Sequence, residues 1–390
     1  MRVLFVTHNF PRTAGDAAGS FVLRLAVALT DAGHDIRVLA PHAEGLADNE
    51  VIDGIAVTRV HYAAPEHETL AYTGTMAESV RGSWGARFAL LGMIRAFGEA
   101  TRTWVRGDGE AGWRPDLVHA HWWFPSAMAV VTPTAPPVPL LITMHGSDVR
   151  LAHTLPGGTL LARRVLKQAR VRTAVSSWLG AQAAAFGGGA VETAPMPINL
   201  ARVQPDSDAV RDTRRVLFVG RLNAQKGVAL LLEAFAQLST EMRLTICADG
   251  PDREALRQRS GALGLGDRVT WIPPVPQPAL AELYQRAAIV VMPSIGEGLG
   301  LVGVEAQACG TPVVGFASGG LTDVVRHDQS GLLVPEGDVA ALAVAMQALM
   351  DDPARREAMG VAGRRHVRDT FSPARVAERY SALYSRALQR

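Results

Sequence analysis

Cysteine is nearly absent. Only Cys247 and Cys309 occur among 390 residues, and each lies inside an apolar run. That excludes a disulfide framework and points to two buried thiols in a reducing, cytoplasmic setting. No Cys or His cluster has the spacing of metal ligands, so no metal is expected. Charge of one sign is also scarce. Lys and Arg number 39 against 37 Asp and Glu, a net charge of +2, which argues against a nucleic-acid surface. No uninterrupted apolar stretch approaches ~18 residues, so no membrane-spanning helix is expected. Met1–Thr7 is a short apolar run without a cleavage site and reads as a first strand, not a signal peptide.

What the chain has in abundance is apolar residues, 48% against 19% charged. A chain of this length and composition fills two cores and is not disordered. Short β-branched runs alternate with longer helical patterns, the signature of parallel sheets covered by helices. In the first half the strand runs are Val3–Thr7, Ile36–Ala40, Ile55–Val60, Leu117–His121, Leu140–Met144, Val171–Ala174 and a short one near Val191. In the second they are Val216–Val219, Leu244–Cys247, Val269–Ile272, Ile289–Met292 and Val313–Gly315. Pro195–Thr213, rich in Pro, Asp and Ser, reads as a linker. The spacing predicts an α/β chain of two doubly wound, Rossmann-like domains facing a cleft, residues 1–200 and 201–370. A helix over 371–390 is expected to pack back towards the first domain. Such domains bind ligands at the carboxyl ends of their strands, at the switch point of the sheet.

The strongest motif is Pro293-Ser294-Ile295-Gly296-Glu297-Gly298-Leu299-Gly300-Leu301-Val302-Gly303-Val304-Glu305. A strand precedes it and a helix follows. Unpaired N–H groups at that helix start suit a phosphate, and the glycines let a ligand approach the backbone. Glu297 on the turn and Glu305 inside the helix bracket the element. A carboxylate accepts paired hydrogen bonds from vicinal hydroxyls, so one can take a ribose and the other a sugar, with a diphosphate between. The second motif is Gly220-Arg221-Leu222-Asn223-Ala224-Gln225-Lys226-Gly227, also between strand and helix. Its Arg and Lys can neutralise a diphosphate and meet charge growing on a leaving phosphate.

In these motifs the chain resembles the large retaining glycosyltransferase family 4, which has the GT-B architecture. The resemblance includes Ala306–Val314 and spans essentially the whole chain. It implies that Arg221 and Lys226 bind the diphosphate of a nucleotide sugar. Glu305 then takes the ribose and Glu297 a hydroxyl of the transferred sugar. The backbone of Gly298, Leu299, Gly300, Leu301 and Val302 meets the donor, and Pro274 and Val275 border the base. In the first half it implies that His145, in His145-Gly146-Ser147-Asp148, lies beside the transferred sugar. Asp148 reads as a cap or turn residue. Where many members carry a Gly-Gly turn after the first strand, this chain has Gly15-Asp16-Ala17-Ala18-Gly19, with Gly19 opening the helix. Asn199 stands where many members have a sugar-contacting turn.

The implied activity is retaining transfer of a sugar from a UDP-, GDP- or ADP-linked donor to an acceptor hydroxyl, without a metal or a tightly bound cofactor. The acceptor, whether glycan, lipid-linked glycan or small molecule, is not legible. A nucleotide-sugar epimerase or hydrolase, or a non-catalytic nucleotide-sugar-binding subunit, are the alternatives on one fold. Two features stay open. His119, His121, Trp122 and Trp123 either line an acceptor pocket or pack in the core. Arg81–Arg106 is either a basic amphipathic helix for weak attachment to the inner face of a membrane, or a helix covering the domain with a solvated basic face.

Overall fold

A computed structural model describes residues 1–16, 18–72, 76–204 and 211–389. Ala17 of the glycine turn and residues 205–210 of the linker lie outside the described residues. The chain divides into two compact units: Met1–Pro197 with Pro373–Arg390, and Ile198–Ser372.

The first unit is built on β1 (Arg2–Val6), β2 (Asp35–Pro41), β3 (Asn49–Ile52), β4 (Ile55–Val60), β5 (Leu117–His121), β6 (Leu140–Met144), β7 (Val171–Ala174) and β8 (Glu192–Thr193). They form one sheet in the order β3-β4-β2-β1-β5-β6-β7-β8. Every pairing is parallel except β3 with β4. β1 and β5 are buried along nearly their whole length, as strands covered on both faces must be. β3 is a short edge strand joined to β4 by a tight turn at Asp53-Gly54, an Asp-Gly hairpin signal. The final helix, Pro373–Gln389, belongs to this unit. It buries Val376, Tyr380, Leu383 and Tyr384. Tyr384 shares a hydrogen bond of 2.8 Å with His119 Nδ1, and the Tyr380 hydroxyl donates to the Ala194 carbonyl at 3.1 Å.

The second unit carries β9 (Asp212–Arg221), β10 (Arg243–Asp249), β11 (Val269–Ile272), β12 (Ala287–Met292), β13 (Val313–Phe316) and β14 (Gly331–Val334). Its sheet is wholly parallel in the order β11-β10-β9-β12-β13-β14. Phe218, Leu231, Phe235, Ile246, Ile289, Phe316 and Met346 fill its core. From β9 the chain builds outward through β10 and β11, then returns to add β12, β13 and β14 on the other side. The switch point is therefore the gap between β9 and β12, where a ligand crevice opens. In the first unit the same logic puts it between β1 and β5.

Candidate active site

Both motifs lie at the carboxyl edge of the second sheet, on the two strands that flank its switch point. β9 ends at Arg221, whose side chain is exposed. In the turn that follows, Asn223 Oδ1 accepts from the Lys226 amide at 3.2 Å and caps the helical turn Ala224–Lys226. Gly227 has φ +66°, and a β-carbon there would overlap the Pro293 carbonyl oxygen. Only glycine lets the two loops meet backbone to backbone. They are tied by the Ile295 amide donating to the Gln225 carbonyl at 2.9 Å. Gln225 Nε2 returns a bond to the Gly296 carbonyl at 3.1 Å. With the loops so held, Lys226 Nζ lies 2.6 Å from Glu297 Oε2.

Glu297 is fixed from its other side by a segment that sequence reasoning did not single out. After β13, Ser318 Oγ accepts from the Gly296 amide at 2.8 Å, and the Gly320 amide donates to the Glu297 carbonyl at 2.7 Å. Gly319 has φ +61° and sits so close to the Glu297 backbone that no side chain fits. Ser318-Gly319-Gly320 directly after an apolar strand is the turn signal that marks the place.

The helix Leu301–Ala308 begins at Gly300 in a left-handed conformation, φ 90°. Its first amides to bond backwards are Gly303 and Val304, both to the Gly300 carbonyl, at 2.9 and 3.4 Å. The amides of Leu301 and Val302 precede them and are the donors a helix start offers to an anion. Glu305, about one turn in, is buried, 9% exposed. The Tyr284 hydroxyl donates to its Oε2 at 3.2 Å. Burial, reinforced by Glu305, pushes the Tyr284 hydroxyl well above its usual range, so it stays protonated and donating. Pro274 is exposed and Val275 half-buried just past β11, at the same edge of the sheet. Asn199 spends its side-chain oxygen on a local turn, accepting from the Ala201 and Arg202 amides at 3.1 and 3.3 Å.

His145 follows β6 in the first unit. Its Nε2 lies 3.1 Å from His121 Nδ1 at the end of β5. Trp122 stacks on it at 4.2 Å between centroids, and Phe21, two residues beyond Gly19, packs at 5.2 Å. Asp148 Oδ1 accepts from the His145 and Gly146 amides at 3.1 and 3.0 Å and sets this turn. Although part of His145 meets solvent, its ring is walled in by these groups. Burial, then His121 and His8, hold it well below the usual histidine range, so it is neutral. The same burial takes His121 down to about 3.

The four-residue cluster of histidines and tryptophans thus divides. His119 is a core residue, bonded to Tyr384 and, at 2.7 Å, to Thr143. Trp123 is also core, its Nε1 donating to the Asp148 carbonyl at 2.7 Å. His121 and Trp122 surround His145. Gly19 has its backbone against Asn9 and Phe10, at the start of the helix Ser20–Asp31. The structure therefore gathers Lys226 and Glu297 in contact, and places Arg221, Glu305 and the Leu299–Val302 backbone on the same sheet edge. His145 lies in the first unit against Phe21, two residues beyond Gly19.

A family model described as "Glycosyl transferases group 1" matches residues 202–366, and one described as "Glycosyl transferase 4-like domain" matches residues 17–199. The chain is 31% identical to D-inositol 3-phosphate glycosyltransferase 1 of Catenulispora acidiphila, over 96% of this chain and 92% of that protein. Among solved structures, sucrose-phosphate synthase from Thermosynechococcus elongatus superposes with a TM-score of 0.79 at 25% identity, covering 100% of this chain and 99% of that one. The catalytic domain of starch synthase IV from Arabidopsis thaliana, bound to ADP and acarbose, gives 0.75 at 15% identity, over 100% and 99%.

Proposed function

For a chain that belongs to the group 1, glycosyl transferase 4-like family of GT-B glycosyltransferases, we propose retaining, metal-independent transfer of a sugar from a nucleoside-diphosphate sugar to an acceptor hydroxyl. The observation that carries this reading is the meeting of Lys226 and Glu297 beside the start of the helix Leu301–Ala308. One cation and one carboxylate, already aligned at a switch point, match the two ends of a sugar diphosphate. Lys226, Arg221 and the Leu301 and Val302 amides receive the diphosphate. Glu305, oriented by Tyr284, receives the ribose hydroxyls, and Glu297 turns from Lys226 to a hydroxyl of the transferred sugar. Gly298–Val302 backbone lines the donor, and Pro274 and Val275 border the base. By the resemblance to the family, His145, Gly19 and Asn199 are assigned to the sugar and the acceptor, His145 as a neutral ring and a backbone edge.

In the reaction the bond between sugar C1 and the phosphate oxygen breaks through an oxocarbenium-like state. Negative charge grows on the leaving diphosphate, where fixed donors stabilise it most. The acceptor oxygen attacks C1 from the face the diphosphate leaves, and the acceptor proton passes to a diphosphate oxygen. Glu297 positions the sugar and forms no covalent intermediate. No tightly bound cofactor enters.

The test incubates the protein with UDP-, GDP- and ADP-sugars in the presence of chelator. The acceptor panel holds inositol phosphates, which the name of the Catenulispora relative brings in, together with sugars and lipid-linked glycans. Proton NMR reads the anomeric configuration of the product. Inversion, or a strict metal requirement, overturns the corresponding part of the reading. Donor consumption at full rate without acceptor favours an epimerase or hydrolase, and binding without turnover a non-catalytic subunit.

We further infer weak attachment to an anionic bilayer through the helix Trp84–Arg106. Trp84, Phe88 and Leu91 are exposed by 72, 69 and 63% at helical spacing, with Arg87 over the Trp84 ring at 4.4 Å. No described helix is long and apolar enough to cross a membrane. Co-sedimentation with phosphatidylglycerol vesicles, lost in Phe88→Ser/Leu91→Ser, is expected; equal sedimentation of the double variant refutes it.

A further inference from the structure

His42, His61 and Glu68 converge in the first unit, with one ligand atom from each within 4.8 Å of the others. Their separation in sequence hides this, and the sheet explains it. β2 and β4 are parallel, with Pro41 opposite Val60. The next residue of each strand is a histidine, so the two rings stack, 3.8 Å between centroids and 34° between planes. Glu68, just past the short turn Pro65–His67, is brought beneath them with its side chain fully buried. The Tyr62 amide donates to its Oε1 at 2.8 Å.

The hydrogen bonds settle which ring nitrogens face the carboxylate. His42 Nε2 lies 3.0 Å from the Leu46 carbonyl, and His61 Nε2 lies 3.0 Å from Asp48 Oδ1. Both partners are acceptors, so each Nε2 carries the proton. In the neutral ring Nδ1 is then a lone pair. The His42 lone pair points at one oxygen of the carboxylate, with Nδ1 2.5 Å from Oε2, and His61 Nδ1 lies 3.3 Å from the other, Oε1. Lone pairs facing a buried carboxylate repel unless a cation lies between. One proton on His42 Nδ1 answers only its own contact, and a second on His61 would bring two imidazolium rings to 3.8 Å between centroids. One divalent cation supplies the same charge once, at the point where all these atoms converge.

We propose that His42 Nδ1, His61 Nδ1 and the Glu68 carboxylate bind a zinc-type divalent cation. Two imidazoles and a carboxylate are a zinc donor set, and half-exposed His61 leaves a side open for a water as fourth ligand. The Leu46 carbonyl and Asp48 do what outer groups do at such sites, holding each ring's other N–H and aiming its lone pair. At zinc–ligand distances near 2.0–2.1 Å, tetrahedral neighbours stand about 3.3 Å apart. The His61–Glu68 spacing already matches, and the His42–Glu68 spacing opens by somewhat under ~1 Å on binding. The role is structural. The ion pins the segment 42–48, whose Leu46 lines a hollow with Arg12, Thr13, Gly15 and Asp16. The site lies wholly within the first unit and takes no part in holding the diphosphate on the second.

The experiment uses the full, untagged chain stripped with chelator, titrated with Zn2+ against a chromophoric competitor and with Co2+ for its visible spectrum. One Zn2+ per chain with Kd at or below roughly 1 µM is expected. A Co2+ spectrum of tetrahedral intensity is expected beside it. His61→Ala and Glu68→Gln, the first half-exposed and the second isosteric, should each weaken binding at least tenfold, and Asp48→Asn by roughly 10- to 100-fold. Circular dichroism of the metal-free variants confirms that they fold. Wild-type binding weaker than about 10 µM overturns the proposal and leaves protons as the only cations there. So does binding that His61→Ala and Glu68→Gln leave unchanged.

Discussion

Lys226 Nζ and Glu297 Oε2 stand 2.6 Å apart, although 71 residues separate them in sequence. Their side chains are 21 and 15% exposed, so the pair is mostly shielded from water. Each is the other's partner in the free protein, and each is proposed to trade that partner for one end of the donor. Little of either side chain has to be desolvated anew when the donor enters, because both charges were mostly withdrawn from water on folding.

Lys226→Ala and Glu297→Ala should each lower kcat by at least about 10²-fold, the scale for removing one fixed group that meets transition-state charge. Each single variant leaves its partner half-buried and alone, and should cost on the order of 1–2 kcal/mol, between exposed and buried pairs. The double variant Lys226→Met/Glu297→Gln should recover much of that stability and none of the activity. Urea midpoints and initial rates on the four proteins check both. Near-normal turnover in either single variant removes these residues from the chemistry.

Tyr284 gives a separate handle on the nucleotide end. Its hydroxyl touches Glu305 Oε2 at 3.2 Å and is buried too deeply to reach solvent. Tyr284→Phe deletes one hydrogen bond to a charged group, worth about 1.5 kcal/mol, which is roughly tenfold in nucleotide affinity. Calorimetry with the cognate nucleoside diphosphate should show that loss, while Glu305→Ala loses more. Unchanged affinity in both variants means that Glu305 does not hold the ribose.

Gly227 and Gly261 make a matched pair. Gly227 has a left-handed φ and no room for a β-carbon against Pro293. Gly227→Ala should cost roughly 3 kcal/mol and most of the activity, because it prises apart the loops that align Lys226 with Glu297. Gly261, inside the helix Arg253–Ala262, has nothing within 4 Å of such a carbon. Gly261→Ala should be neutral or stabilising by about 0.5–1 kcal/mol, with full activity. Thermal and urea unfolding of both variants decide it.

The parts of the fold legible in the sequence were those whose signal is local. β12 and the helix Leu301–Ala308 are an unbroken apolar run, a glycine cluster and a helical pattern in one stretch of chain. β3 escaped because Asn49–Ile52 is too short and polar to stand out, although Asp53-Gly54 marked its hairpin. β14, the four apolar residues Gly331–Val334, escaped through shortness alone. At the site, Arg221, Lys226, Glu297 and Glu305 could be chosen because glycine-rich turns after strands carry chemistry. Ser318–Gly320 carried a turn signal but not its contact with Glu297, and Tyr284 and the pairing of His121 with His145 carried no signal. Each acts through a contact that only parallel register or helix packing creates. The same holds for His42 and His61, which are neighbours solely because Pro41 and Val60 are.

The buried histidines of the first unit make its stability depend on pH with a definite sign. His119 and His121 have no exposure, and burial holds His121 near about 3 and His119 well below its usual value. In the unfolded chain both titrate near 6.5. Between those values the unfolded state binds protons that the folded state refuses, so stability falls as pH falls. The histidine contribution is fully present above about pH 6.5 and is lost progressively from there towards about 3. Each histidine adds about 1.4 kcal/mol per pH unit to the slope. The window of about pH 5 to 6 keeps carboxylates of ordinary value out of the slope, since they are still ionised there, and the two variants then separate His119 and His121 from the other buried histidines. His121→Gln should lower the slope of unfolding free energy against pH by about one proton, and His119→Gln likewise. Their absolute stabilities will differ, since His119 also bonds Tyr384 and Thr143. Urea denaturation at half-unit steps reads the slopes. Parallel lines for wild type and both variants would mean that these rings are already protonated in the folded protein. A protonated His121 would donate through Nδ1 to His145 Nε2, a bond that only a neutral His145 accepts.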